Sequence, residues 1–305
     1  MSTNITELKP VSKKRRSNRL TAYAFLAPNF IGFFVFTLIP ILVACGLCFV
    51  KWDFANPMEY VGMKNFLKLF RDNGFQISLW NSIYFTVTSV PLTIVISLLL
   101  ALLVHQKLKG IKLFRTLFFF PYISSMVAVA VVWNMLYHPT MGPINQFLRM
   151  IGIQNPPGWT SSVIWALPAV MLMCVWKQVG YYMIIYLAGL QSIPEYLHEA
   201  ATIDGANAWQ RFRYITLPML TPSTFFICVL VIINSLKIFD PIMIMTDGGP
   251  GRATYTLVYY IYYQAFTLFK FGYASAIAMA LLVIVLISTI IQFKLESKWV
   301  NYESM

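Results

Sequence analysis

The stretch EYLHEAATIDGANAWQRFRYITLP, residues 195–218, interrupts a chain that is otherwise almost uniformly apolar. It carries three acids (Glu195, Glu199, Asp204), two arginines (Arg211, Arg213), Trp209 and a central Gly205. Ser192 sits where a helix N-cap belongs, and Pro194 and Glu195 suit a first helical turn. Tyr196, Ala200 and Ile203 recur at i, i+4 and i+7, with Leu197 and Ala201 alongside. That spacing predicts one apolar stripe on a short helix. Gly205 is a good stop for it. Asn207 can cap a second short helix carrying Trp209, Phe212 and Ile215, and Pro218 and Pro222 mark the start of the next apolar run.

On either side of this pair of helices lies a membrane domain. Of 305 residues, 58% are hydrophobic and 11% charged, against about 45–50% and about 25% in soluble domains. Mean hydropathy is +0.67. A membrane helix needs about 20 apolar residues to cross about 30 Å of hydrocarbon. Six runs meet that length: 23–50, 78–105, 114–137, 162–190, 221–245 and 273–293. Pro28, Pro40, Pro91 and Pro168 fall inside them or near their ends, and such breaks survive where neighbouring helices or water satisfy the freed backbone groups. The fold class expected is all-α and polytopic, with six transmembrane helices and the amphipathic pair between spans four and five. A basic tail over 1–22 precedes the membrane domain (23–294, with its loop at 191–217), and a short tail over 295–305 follows.

The net charge of +12 is distributed as bilayer orientation requires rather than as a nucleic-acid surface. Six basic residues (Lys9, Lys13, Lys14, Arg15, Arg16, Arg19) stand before the first apolar run. With the N-terminus in the cytoplasm, fourteen Lys and Arg fall on cytoplasmic segments and seven on outside ones. That bias predicts both termini inside and puts the 195–218 element on the cytoplasmic side. Its two arginines are too few for a DNA-reading helix-turn-helix. Its acids would be repelled by anionic headgroups, so a docking knob for a cytoplasmic protein fits better than an interfacial helix.

Other motifs carry less chemistry. Cys45 and Cys48 form a C-x-x-C whose flanks hold no His or acid, so small packing residues are expected. "LVAC" ending at Cys45 looks like a lipoprotein cleavage box. The apolar run before it is longer than the about 7–15 residues of a signal h-region, so an uncleaved first helix is expected. The three histidines, His105, His138 and His198, have no ligand spacing. The Walker pattern is absent, and "DGGPGRAT" (247–254) lacks the phosphate-reaching lysine. The tyrosine-rich "YTLVYYIYYQAF" (255–266) is too short to span; an external helix at the membrane boundary is expected, or a surface for a solute-binding protein.

Charges at bilayer depth cost about 2.5–3.5 kcal/mol each, so they are usually functional or paired. Lys177 lies in the fourth run; Lys237 and Asp240 lie in the fifth, three residues apart. Lys237 and Asp240 could settle each other as a pair on one helix face, or line a pathway. Asn234 stands one turn before Lys237, and Tyr181 one turn after Lys177. Amides, hydroxyls and flat aromatics suit a polyhydroxy ligand, so Asn234, Lys237, Asp240, Lys177 and Tyr181 are the candidate pathway residues.

Glu199-Ala200-Ala201, three residues, Gly205, nine residues, Ile215, one residue and Leu217-Pro218 resemble the "EAA" signature of permease subunits of binding-protein-dependent ABC importers. "LAGLQSIP" (187–194), "FDPIMIMTDGGPG" (239–251), "FGYASAIA" (271–278) and "LAPNFIGFFVFTLIP" (26–40) are similar to the carbohydrate-uptake branch, the sugar or glycerol-phosphate permeases. The resemblance covers nearly the whole chain. It implies a coupling helix whose Glu199, Ala200, Ala201, Asp204 and Gly205 enter a cleft on an ATPase subunit. It implies import by alternating access, with a second similar permease, a dimer of ATPase subunits and an extracytoplasmic solute-binding protein as partners, in a bacterial inner membrane. No cofactor is expected on this chain; ATP and Mg would be used by the ATPase. Glycerol 3-phosphate is the alternative substrate. The rival classes are an ion-coupled secondary transporter, which would make Lys237 and Asp240 ion-linked, and an intramembrane enzyme, for which no Ser/His or HExxH arrangement is present.

Overall fold

The computed structural model describes residues 12–106 and 109–300, with side chains from Tyr23 onward. Lys9, Lys107 and the tail over 301–305 lie outside the described residues, as do the side chains of Lys13 to Arg19. The described chain is helical almost throughout; its one sheet is a two-stranded ribbon, β1 (Val50–Lys51) against β2 (Glu59–Tyr60).

Helix α1 (Ser12–Phe33) passes into α2 (Ile39–Leu47) through a π-helical turn, Phe34–Leu38. The wide turn sits directly before Pro40, whose missing N–H breaks the i→i−4 ladder. In the apolar window of this first span, Tyr23–Leu47, no residue is buried against the rest of the chain. After β1 and β2 come α3 (Lys64–Leu69) and α4 (Asn73–His105), the latter capped by Asp72, whose carboxylate accepts from the Gly74 N–H at 2.9 Å.

Helices α5 (Ile111–Ile123) and α6 (Met126–Leu136) meet at 98°. The run 114–137, expected as one span, is therefore a broken one. Ser124 and Ser125 at the break are extended, with ψ of 148° and 132°. Then follow α7 (Pro143–Met150), a 3₁₀ turn at Trp159–Ser161 and α8 (Ala166–Ser192), the most buried of the long helices. The amphipathic stretch forms α9 (Glu195–Ile203) and α10 (Ala208–Arg211), which continues through a π turn (Phe212–Thr216) into α11 (Leu217–Met219).

Helix α12 (Thr221–Leu236) leaves this element at 61° and ends early. The expected fifth span, 221–245, is interrupted at residues 237–239 and resumes as α13 (Asp240–Met245). Pro241 contributes to the interruption, because it offers no N–H to the Lys237 carbonyl and sits in the first turn of α13, where that loss is tolerated. Helix α14 (Leu257–Tyr262), a π turn (Tyr263–Thr267) and α15 (Phe271–Trp299) complete the fold. Among the described residues four helices are long and apolar enough to cross a membrane, and six spans result when each bent pair counts as one. The domain boundaries expected at residues 23 and 295 fall inside α1 and α15.

Packing centres on α8. Gly180 lets α5 approach so closely that a Cβ there would run into the Phe118 carbonyl; small residues at helix contacts are how membrane helices pack without a hydrophobic driving force. Two apolar clusters result. One, away from α9, gathers Phe85, Tyr137, Leu167, Ile242, Tyr255 and Tyr259. The other, towards α9, gathers Val104, Tyr182, Tyr186, Leu190, Leu220 and Ile227.

Candidate functional site

Between the two clusters, at mid-length of α4 and α8, lies a cavity of about 310 Å³. Helix α4 lines it with Ser89 and Thr93, α8 with Gln178, and α12 with Asn234 and Ser235. The α12–α13 break adds Lys237 and Asp240. Two of these groups have polar capacity to spare. The Asn234 amide makes only a long contact, donating to the Tyr182 hydroxyl at 3.4 Å. Ser89 is 4% exposed, and its hydroxyl has no hydrogen-bond partner among the described residues. The other serines on that face of α4 return their protons to the helix: Ser78 donates to Gly74 O at 2.7 Å, Ser82 to Ser78 O at 2.8 Å and Ser97 to Thr93 O at 2.6 Å. Ser89 is thus the member of the stripe left to address the cavity.

Lys237 and Asp240 both line this space, yet they do not share one helix face. The chain leaves the helix at Lys237 and re-enters it at Asp240. Among the described residues no salt bridge joins them. A cation and an anion open to one mid-depth cavity are costly unless water or a polar solute meets them, which is what a hydrophilic pathway supplies.

Lys177 and Tyr181, the other expected pathway residues, are not among those that line this cavity. Lys177 is 5% exposed. Its Nζ donates to the carbonyls of Pro121, Tyr122 and Ser124 at 3.1, 2.8 and 2.7 Å. Those are the carbonyls that the α5–α6 break leaves without intrahelical donors. Lys177 therefore caps the broken span. Tyr181 stacks on Tyr122, with ring centroids 4.5 Å apart and planes 13° from parallel.

The tyrosine-rich stretch packs largely against its own chain. Tyr255, Tyr259 and Tyr260 are buried. Tyr259 donates to the Asp247 carboxylate at 2.9 Å, and Tyr260 to Asp72 at 2.7 Å. Tyr273 of α15 donates to the same Asp72 oxygen, and Lys68 stands 4.1 Å over the Tyr273 ring. Burial pushes the Asp72 carboxyl up, but the hydrogen bonds from Tyr273, Tyr260 and Gly74 and the nearby Lys68 charge outweigh it and hold it below its ordinary value. Burial, and then the Asp72 carboxylate, raise Tyr260. Asp72 thus ties α3, α4, α14 and α15 together away from α9.

The opposite end carries the hook. Tyr196 and Ile203 are 65% and 86% exposed, and Glu199, Ala200, Asp204 and Gly205 are exposed with them, while Ala201 is half-buried. Helix α9 closes on a Schellman turn: Ala206 N–H donates to Ala201 O at 2.8 Å and Gly205 N–H to Thr202 O at 3.1 Å, with Gly205 at φ +81°. Asn207 and Gln210 form a complete capping box for α10, as its sequence position suggested. Ser192 does not cap α9; its hydroxyl donates back to Gly189 O of α8 at 2.8 Å. Arg211 donates to the Thr202 hydroxyl at 2.6 Å, bracing α10 against α9. The predicted stripe therefore exists and faces away from the chain's own core.

Four polar groups of the cavity, Ser89, Thr93, Gln178 and Ser235, were not among the residues expected from the sequence. For the two on α4 a signal was present: Ser and Thr recur at 78, 82, 89, 93 and 97, the spacing of one helix face.

Broken spans around a polar mid-depth cavity, with a rigid exposed hook at one end, define a membrane transport subunit. The chain belongs to the family described as "Binding-protein-dependent transport system inner membrane component", whose model matches residues 79–301. It is 39% identical over 308 residues, covering 100% of this chain and 99% of the relative, to the "Probable ABC transporter permease protein YesP" of Bacillus subtilis (strain 168). It is 34% identical over 287 residues, covering 92% and 96%, to the "Lactose transport system permease protein LacF" of Rhizobium radiobacter. Its fold matches a chain in the crystal structure of a bacterial alginate ABC transporter in complex with alginate pentasaccharide-bound periplasmic protein, with a TM-score of 0.84, 24% identity and coverage of 95% and 98%.

Proposed function

We propose that this permease moves a carbohydrate, an oligosaccharide or related sugar, inward through the mid-depth cavity by alternating access, driven by a separate ATP-hydrolysing subunit that grips α9. The observation that carries this reading is the outward stripe of Tyr196, Ala200 and Ile203, flanked by Glu199 and Asp204, on a helix fixed by a Schellman turn. Apolar side chains exposed beside acids, on a backbone that is already rigid, suit insertion into a cleft with a basic group on its wall. ATP acts here only through its differential affinity for the two states of the assembly. The family description as an inner membrane component supports a bacterial inner-membrane location. With α9 in the cytoplasm, both termini are cytoplasmic, and the Asp72 and Asp247 end faces outside, where a solute-binding protein delivers the sugar.

A second membrane subunit of similar kind completes the assembly in this reading, and the first span, none of whose residues over Tyr23–Leu47 is buried by its own chain, has surface free for it. The substrate class follows from the cavity. Ser89, Gln178 and Asn234 offer amide and hydroxyl groups, and Lys237 and Asp240 offset each other's charge. A phosphate ester such as glycerol 3-phosphate would want an excess of cations.

Two measurements test the reading. A photo-cross-linker at position 199, in native membranes, should reach an ATP-hydrolysing polypeptide; its absence from every product, or labelling of α9 from outside, would refute the proposed coupling. Uptake by the assembled importer should fall when Asn234, Lys237 or Asp240 is changed to alanine at normal expression. Accumulation of glycerol 3-phosphate in place of every sugar would replace the carbohydrate reading.

A further inference from the structure

A second cavity, of about 600 Å³, lies at the ends of α6 and α13 away from α9. Its polar lining is Asn134 and His138 from the end of α6, Thr160 and Ser161 from the 3₁₀ turn, and Thr246 and Asp247 after α13. The same two elements that wall it also reach the inner cavity, through Met126 at the start of α6 and Asp240 at the start of α13. Eight residues of helix separate Met126 from Asn134, about 12 Å of rise. The two chambers therefore lie in series along one pair of elements, and the outer one is nearly twice the volume of the inner.

The outer chamber is built to present polar atoms. His138 uses Nδ1 to accept the Met141 N–H at 3.2 Å, which leaves Nε2 for a solute. Asn134 uses its carbonyl to accept from Thr160 at 3.1 Å, which leaves its amide N–H groups. Asp247 is held at φ +47°, and Oδ1 accepts from Tyr259, which leaves Oδ2. Asn134 and Asp247 are each oriented by one side-chain bond and His138 by two, since the Thr140 hydroxyl also meets its Nδ1 at 3.3 Å; each keeps an unspent group, and between them the three supply donors and acceptors. A pocket of several hundred Å³ with a few convergent polar groups is the ordinary form of a small-molecule site.

We propose that this outer chamber is a second carbohydrate site, which receives the sugar through Asn134, His138 and Asp247 before it reaches the inner cavity. With both chambers filled, the solute is an extended oligosaccharide rather than a single ring. The proposal rests on the carbohydrate reading given above, and its test separates the two. Ser161→Cys places a thiol in the outer chamber and Asn234→Cys one in the inner cavity; the wild type, with its native cysteines, gives the background. Each is labelled in the assembled importer, in sealed right-side-out vesicles, with a membrane-impermeant maleimide. Lactose, maltotriose and a short alginate oligomer are the probes, each used separately.

The expected result is that one probe slows labelling at both positions. Alanine at Asn134 or His138 should then raise the KM for uptake of that probe by about 3- to 10-fold, the loss of one hydrogen bond. Protection at Asn234→Cys without protection at Ser161→Cys overturns the outer site and leaves the carbohydrate reading standing. Ser161→Cys that cannot be labelled in the assembly also overturns it, because the chamber is then covered. No protection at either position by any probe removes both.

Discussion

Replacing Lys177 by methionine separates a structural role from a transport role. In the wild type one ammonium meets three carbonyls at the α5–α6 break. Three acceptors around one nitrogen require three N–H bonds, so the group is protonated there. Methionine keeps the length and loses every donor. Each orphaned carbonyl costs about 1–3 kcal/mol, or about 3–9 kcal/mol for the set. Removing a buried ammonium returns about 2.5–3.5 kcal/mol. The net expected loss is about 3 kcal/mol, which for a chain of this size lowers the melting temperature by about 6 °C. The assay is thermal denaturation of the purified assembly, followed by its elution as a monodisperse complex, beside uptake at a temperature where both proteins are folded. Lys177→Arg, which keeps the charge in a planar fork, should fall between the two. A methionine variant that melts within about 1 °C of the wild type would refute the capping argument. If that stable variant had also lost uptake, Lys177 would belong to the pathway, as its sequence position first suggested.

Other perturbations follow from the same geometry. Gly180→Ala should destabilise the α5–α8 contact by about 1–3 kcal/mol, because its Cβ meets backbone that cannot move aside; denaturation of the assembly reads it. Gly205→Val places a β-branched residue at φ +81° and should cost about 1–2 kcal/mol locally. Uptake should fall while the assembly still hydrolyses ATP; equal loss of both activities would count against a coupling role. Asp72→Asn should weaken the tie between α4 and α15 by about 1–3 kcal/mol, measured as a lower melting temperature. Because the Asp72 carboxyl is held below its ordinary value of 3.8, its contribution is complete above that value and is lost as pH falls through the lowered one. The difference between wild type and Asp72→Asn should accordingly be constant from about pH 5 to about pH 8.

By itself the sequence determined that the chain lives in a bilayer, where its apolar runs lie and where the hook interrupts them. These are local properties: about 20 consecutive apolar residues, or a stripe at i, i+4 and i+7, produce a span or an amphipathic helix whatever surrounds them. The Gly205 stop and the Asn207 cap were legible for the same reason, since both act within one turn. Tertiary structure decided what the buried polar groups do. Lys177 looked like a pathway charge until its partners, 53 to 56 residues earlier, were in place. The tyrosine-rich stretch over 255–266 gave no sign of its anchor until Asp72, 188 residues away from Tyr260, supplied an acceptor inside the fold. Ser89 looked like any other serine of α4 until the α12–α13 break opened a cavity opposite it. In hydrocarbon every polar group must find a partner, and no local pattern says whether that partner is a distant carbonyl, a second side chain or a solute in transit.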